Sequence, residues 1–106
     1  MYKLDFAFGS GIVRYCDWRI TPELPLQAQL AALKEDLIQV EYGDSVMVDV
    51  GWYPQGDPTG EFVVYVIAER KWNDPVAAFR ASTVERLSVA VAEAVQTADE
   101  LVRHRA

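Results

Sequence analysis

The sequence predicts an α+β domain: an antiparallel sheet of about four strands with two helices on one face, in the order β-β-α-β-β-α. Three observations carry that expectation. Two Val-, Ile- and Tyr-rich runs, 46–53 and 61–69, flank a seven-residue loop containing two Gly and two Pro. Two other stretches repeat apolar residues at spacings of three and four. The length of 106 residues suits a single domain, 1–106, able to bury a core without disulfide staples.

At the start, Tyr2, Leu4, Phe6 and Phe8 alternate with Lys3, Asp5 and Ala7, the pattern of a half-buried strand. Gly9-Ser10-Gly11 fits a hairpin turn, and 12–20 reads as a second strand. Thr21-Pro22-Glu23 suits the beginning of a helix, and Pro25 equally suits a start one turn later. Leu26, Leu30, Leu33 and Leu37 then mark one helical face, and Gly43 is placed to stop it. After the two central strands, Trp72-Asn73-Asp74-Pro75 leads into a short connector, 76–81. Ser82-Thr83-Val84-Glu85 has the form of a capping box, with Ser82 as N-cap. Leu87, Val91, Ala94, Val95, Ala98, Leu101 and Val102 line the final helix, whose end carries Arg103 and Arg105.

The simplest pairing across the central loop sets Tyr53 opposite Glu61 and divides the hairpin into two faces. Val46, Val48, Val50 and Trp52 share one face with Phe62, Val64, Val66 and Ala68; it has no polar group but the Trp52 indole N–H and is expected to face the core. Met47, Asp49, Gly51 and Tyr53 lie on the other with Glu61, Val63, Tyr65, Ile67 and Glu69. Acids, tyrosines and aliphatics together suit a binding surface. A plain solvated sheet face, or one covered by the 72–79 connector, is the alternative.

Charge sharpens the choice. The formal net charge is −6, yet residues 35–69 hold eight acids and no base, a charge of −8, against +2 elsewhere. Nucleic acid and anionic membrane are unfavourable partners for such a field, whereas a basic protein is favoured. No apolar run is long enough for a membrane span and the first residues do not form a signal peptide, so a cytoplasmic location is expected.

Familiar chemistries are missing from the sequence. One histidine, His104, and one cysteine, Cys16, exclude histidine relays, disulfides and multi-cysteine metal cages within the chain. Cys16 reads as a small buried hydrophobe and Asp57 as a turn former rather than a calcium ligand. Gly9-Ser10-Gly11 lacks the Lys-Ser/Thr of a phosphate loop. Trp18 and Trp52 are expected in packing and Trp72 at the surface. No cofactor or metal is expected. Asp49 and Glu61 form the one carboxylate pair that acid–base chemistry could use.

The run Asp49-Val50-Gly51-Trp52-Tyr53-Pro54, then Gly56-Asp57-Pro58 and Gly60, followed by a Val/Ile-rich strand, Trp-Asn-Asp-Pro and an amphipathic helix, resembles small acidic immunity proteins of bacterial polymorphic toxin systems, of the contact-dependent growth-inhibition and Rhs types. The resemblance covers roughly residues 46–100. It implies a non-enzymatic inhibitor of a cognate toxin domain, often a basic nuclease. The residues expected to meet such a partner are Asp49, Tyr53, Asp57, Glu61, Tyr65 and Glu69, with Glu41 and Asp44 as outer steering charges. Charge reversal at Asp49 or Glu61 is expected to weaken binding with little effect on stability. Two other expectations stand beside this one: a small enzyme using the Asp49/Glu61 pair, and a subunit that self-associates through the hairpin face or an edge strand.

Overall fold

The two Val-rich runs become neighbouring antiparallel strands in the interior of a five-stranded sheet. A computed structural model describes residues 6–105. They form β1 (Ile12–Cys16), β2 (Ile38–Tyr42), β3 (Val46–Tyr53), β4 (Glu61–Ala68), β5 (Ala77–Ala81) and one C-terminal helix, α1 (Val84–Arg105). The sheet order is β1-β2-β3-β4-β5, and every neighbour is antiparallel. The α+β class therefore holds, but four strands, two helices and the order β-β-α-β-β-α do not.

The largest departure is the expected leucine helix. In its place are two single 3-10 turns, Leu26–Ala28 and Leu30–Ala32, followed by β2. The Gln29 side chain binds this segment to itself: its amide donates to the carbonyls of Thr21 and Leu24, and its oxygen accepts from the Thr21 N–H. Backbone groups of Thr21 and Leu24 find their partners in this side chain. Leu33 and Leu37 are fully buried, so the leucine spacing records burial along an irregular segment. Ile38-Gln39-Val40-Glu41-Tyr42 alternates buried and half-buried, a strand period that the leucine pattern masks. Gly43, at φ 61°, belongs to the β2–β3 turn rather than to a helix end.

Other corrections are local. The connector 76–81 contains β5, in which Ala77, Phe79 and Ala81 turn toward the core while Ala78 and Arg80 stay exposed. Its alanines give too little contrast to read as alternation. The expected strand 2–8 falls largely on residues 1–5, which lie outside the described residues, and Phe6–Phe8 are not in a strand. Cys16 is exposed on β1 rather than buried. Thr83, not Ser82, caps α1: its hydroxyl accepts from the Arg86 N–H at 3.1 Å.

The β3–β4 register pairs Tyr53 with Glu61, Gly51 with Val63, Asp49 with Tyr65 and Val46 with Ala68, as the hairpin pattern requires. The apolar face then packs under α1, meeting Leu87, Val91, Ala94, Val95 and Ala98 in one core. Phe62 joins Trp52 edge-on at 4.9 Å and Trp18 in a stack at 6.0 Å. The only polar group of that face, the Trp52 N–H, donates to the Asp57 carbonyl at 2.8 Å.

Candidate functional site

Among the described residues no helix lies over the opposite, outer face of β3 and β4, although Val63 and Ile67 on it are buried, and its shape is set by one glycine. Leu37 N–H donates to Val50, while Trp52 N–H donates to Lys34 rather than to residue 36, as the β2–β3 register would require. Two residues, Glu35 and Asp36, are thereby pushed out beside Gly51. A Cβ at Gly51 would stand 1.9 Å from the Glu35 carbonyl oxygen, so only glycine admits this bulge. Gln55 fixes it from the far side, its side-chain oxygen accepting from the Glu35 N–H. Lys34 does not neutralise the bulge, because its ammonium reaches Asp17 at 2.8 Å.

At the other end of β4, Glu69 and Arg70 turn the chain with φ of 55° and 60°. Left-handed backbone costs a non-glycine residue about 1–2 kcal/mol. This turn brings Trp72 back to the outer face beside Ile67 and Tyr65.

Between bulge and turn lies a hollow of about 290 Å³. Asp36 and Asp49 supply its carboxylates, Tyr53, Tyr65 and Trp72 its rings, and Gln39 an amide. The two tyrosines meet edge-on, with centroids 5.9 Å apart. Asp49 is the only charged residue buried among those described, 6% exposed, and its Oδ1 has no hydrogen-bond partner. Burial drives the Asp49 carboxyl up to about 6; the Gln39 amide pulls the other way, and the Asp36 charge adds to the rise. The Tyr53 hydroxyl is also raised, first by burial and then by the charge on Asp49. Larger hollows exist, of about 420 Å³ between β5 and α1 and about 340 Å³ beside residues 21–27. Neither contains a buried polar atom left without a partner.

The residues expected from sequence divide into three groups. Asp49, Tyr53 and Tyr65 come together in this hollow. Glu41 and Asp44 line a second hollow of similar size, which also includes Met47 and Arg70 and shares Trp72 with the first. The remaining three are occupied elsewhere. Asp57 accepts from the Thr59 N–H and hydroxyl, which hold its carboxyl below the ordinary carboxylate range, and so it shapes the loop. Glu61 pairs with Arg80 at 2.6 Å and Glu69 with Lys71 at 3.5 Å. Glu41 is likewise paired, with Arg14 at 2.7 Å.

Bases from outside the acidic window thus answer three of its acids. Among the described residues Glu35, Asp36, Asp44 and Asp49 form no ion pair. Glu35, Asp36, Gln39 and Trp72 were not singled out by sequence as partner residues. The signal for the first two is the lone Gly51 inside a Val-rich strand, which marks a close backbone approach.

Asp49 and Glu61 are not brought into one site. Four residues separate Asp49 from the partner of Glu61 on β3, about 13 Å along a strand, and Glu61 is absent from the hollow. Among the described residues no three His, Cys, Asp or Glu side chains are grouped to hold a metal ion, and no helix is long and apolar enough to cross a membrane. No family model, curated protein or solved structure matches the chain.

Proposed function

We propose that the chain is an immunity protein that binds and neutralises a basic toxin domain in the cytoplasm through the outer face of β3 and β4. One observation supports this above the others: the fold pairs Glu41, Glu61 and Glu69 with bases, while among the described residues Asp36 and Asp49 form no ion pair and line a hollow with two tyrosines and Trp72, and Asp44, also without one, lines the hollow that shares Trp72. Such a field speeds encounter with a basic surface, and aromatic groups provide the contact area that holds it. A nuclease attracts phosphates with a positive cleft, so a carboxylate-rich face competes for the same ground.

The test uses the toxin domain encoded at the end of any large secreted protein immediately upstream. Calorimetry should give tight, salt-sensitive binding. Asp36→Lys and Asp44→Lys, both at exposed positions, should weaken it at least tenfold while the melting temperature stays within about 2 °C. Unchanged affinity in both variants refutes the use of this face.

A second reading, self-association, draws on β1. It is an edge strand among the described residues and exposes Ile12, Val13 and Tyr15 by 54%, 45% and 42%. Sedimentation as a monomer at high concentration removes it.

A further inference from the structure

We propose that the hollow between Asp36, Asp49 and the Tyr53–Tyr65 ring pair is a receptor for a single arginine side chain of the partner protein. This deepens the reading of the outer face as an acidic binding surface and rests on it.

Asp49 lines the hollow as a buried carboxylate with no ion pair among the described residues; its Oδ1 is shielded from solvent and has no hydrogen-bond partner, so nothing in the described fold balances its charge. A bound donor must carry positive charge, because Asp36 adds a second carboxylate to the lining. Asp36 and Asp49 are the hollow's only acidic groups, and among the described residues no third His, Cys, Asp or Glu joins them, so an organic cation suits the site better than a divalent ion.

The rings select among organic cations. Guanidinium is planar, weakly hydrated and stacks on aromatic faces, whereas ammonium is compact and strongly hydrated. Tyr53, Tyr65 and Trp72 present such faces around the carboxylates. A guanidinium also offers a fork of N–H donors, enough to reach Asp49 and the Gln39 amide oxygen together. The space, about 290 Å³, accommodates one long side chain but no folded segment. The partner class is therefore a protein that presents an exposed arginine from a basic surface.

The experiment needs no toxin. The full chain is titrated with N-acetyl-arginine methylamide at neutral pH and low salt, and followed by two-dimensional NMR. One side chain binds weakly, in the range of about 1–50 mM. Expected are saturable shifts centred on Asp49, Tyr53, Tyr65 and Trp72. The lysine analogue should bind several-fold more weakly and the uncharged citrulline analogue should not saturate. Asp36→Asn and Asp49→Asn should each weaken binding about tenfold, the loss of one charged hydrogen bond. Asp36 is exposed, so its variant remains informative if the buried one fails to fold.

Absence of saturation, equal binding of the citrulline analogue, or unchanged affinity in Asp36→Asn overturns the proposal. The two readings can fail separately. Arginine binding without capture of a basic toxin domain removes the immunity function and leaves the receptor. Toxin binding that Asp36→Lys abolishes, with no arginine response, removes the receptor and leaves the face.

Discussion

The two faces of the β3–β4 hairpin differ by one residue of register and by everything else. On the inner face eight consecutive alternate positions are apolar, none more than 6% exposed, and the single polar atom has its partner. On the outer face a glycine makes room for a bulge, two tyrosines meet edge-on and a carboxylate is buried with an oxygen left over. The inner face is what stability alone would select. The outer face retains features that lower stability, and groups of that kind concentrate where a protein binds or reacts. Substitutions on the two faces should therefore differ in kind as well as in size.

The largest effect is expected inside. Trp52 is 2% exposed, contacts Phe62 edge-on and anchors the Asp57 carbonyl of the loop. Trp52→Ala should cost about 3–5 kcal/mol, read as a lower urea midpoint with little change in slope. A loss below about 1 kcal/mol would mean that the inner face is not the core on which the outer one is built.

Next in size is a gain from the outer face. Because the Asp49 carboxyl sits at about 6 in the fold against 3.8 when unperturbed, the folded state holds this proton more tightly. Its ionisation therefore destabilises the fold above pH 6, by up to about 3 kcal/mol. The penalty is relieved as pH falls from 6 toward 3.8. Asp49→Asn should raise stability at pH 8 and flatten this part of the profile. Asp36, Glu35, Tyr53 and Tyr65 face or flank the group, and Asp36→Asn serves as the control. Wild type and Asp49→Asn with parallel profiles between pH 8 and 5 would show that burial does not govern this carboxyl. Asp49→Lys, which the sequence suggests as a harmless charge reversal, is by the same reasoning a strongly destabilising change, since it buries an ammonium.

These cases also show what the sequence could disclose. The hairpin register was legible because shifting it by one residue would carry Asp49 into a wholly apolar face. The final helix was legible from its periodicity, and the acidic window by counting. Residues 22–37 read as helical because burial of Leu33 and Leu37 in an irregular segment produces helical spacing without a helix, in a segment whose first turn is tied by the side-chain bonds of Gln29 to Thr21 and Leu24. β5 is not legible in the sequence, because alanine serves both faces equally. Of the site, Asp49, Tyr53 and Tyr65 followed from strand alternation. Asp36 did not, since its position depends on a bulge formed by backbone bonds between Lys34, Leu37 and β3. Nor did the withdrawal of Glu61 and Glu69, whose basic partners come from sequence positions beyond the window.

Gly51 tests whether the bulge matters. The Cβ of Gly51→Ala meets backbone rather than a flexible side chain, so segment 34–36 must move. Overpacking of this kind costs about 1–3 kcal/mol. The displacement also separates Asp36 from Asp49, so binding of a basic partner should fall further than stability alone accounts for. Retained affinity in a variant whose midpoint has dropped would detach the bulge from the site.

The smallest effect is expected at the margin of the same face. Glu61 and Arg80 meet at 2.6 Å, but their side chains are 40% and 63% exposed. An exposed pair of this sort contributes under about 1 kcal/mol, and less in salt. Glu61→Gln should thus leave stability almost unchanged. Its effect on binding is the more discriminating measurement. If the outer face acted as a uniform acidic sheet, removing Glu61 would weaken a basic partner as much as Asp36→Asn does. If the pairing with Arg80 has already withdrawn that charge, the loss should be several-fold smaller, and Arg80→Ala should improve binding by exposing Glu61. Equal losses at Glu61 and Asp36 would spread the site along the hairpin; unequal ones confine it to the hollow around Asp49.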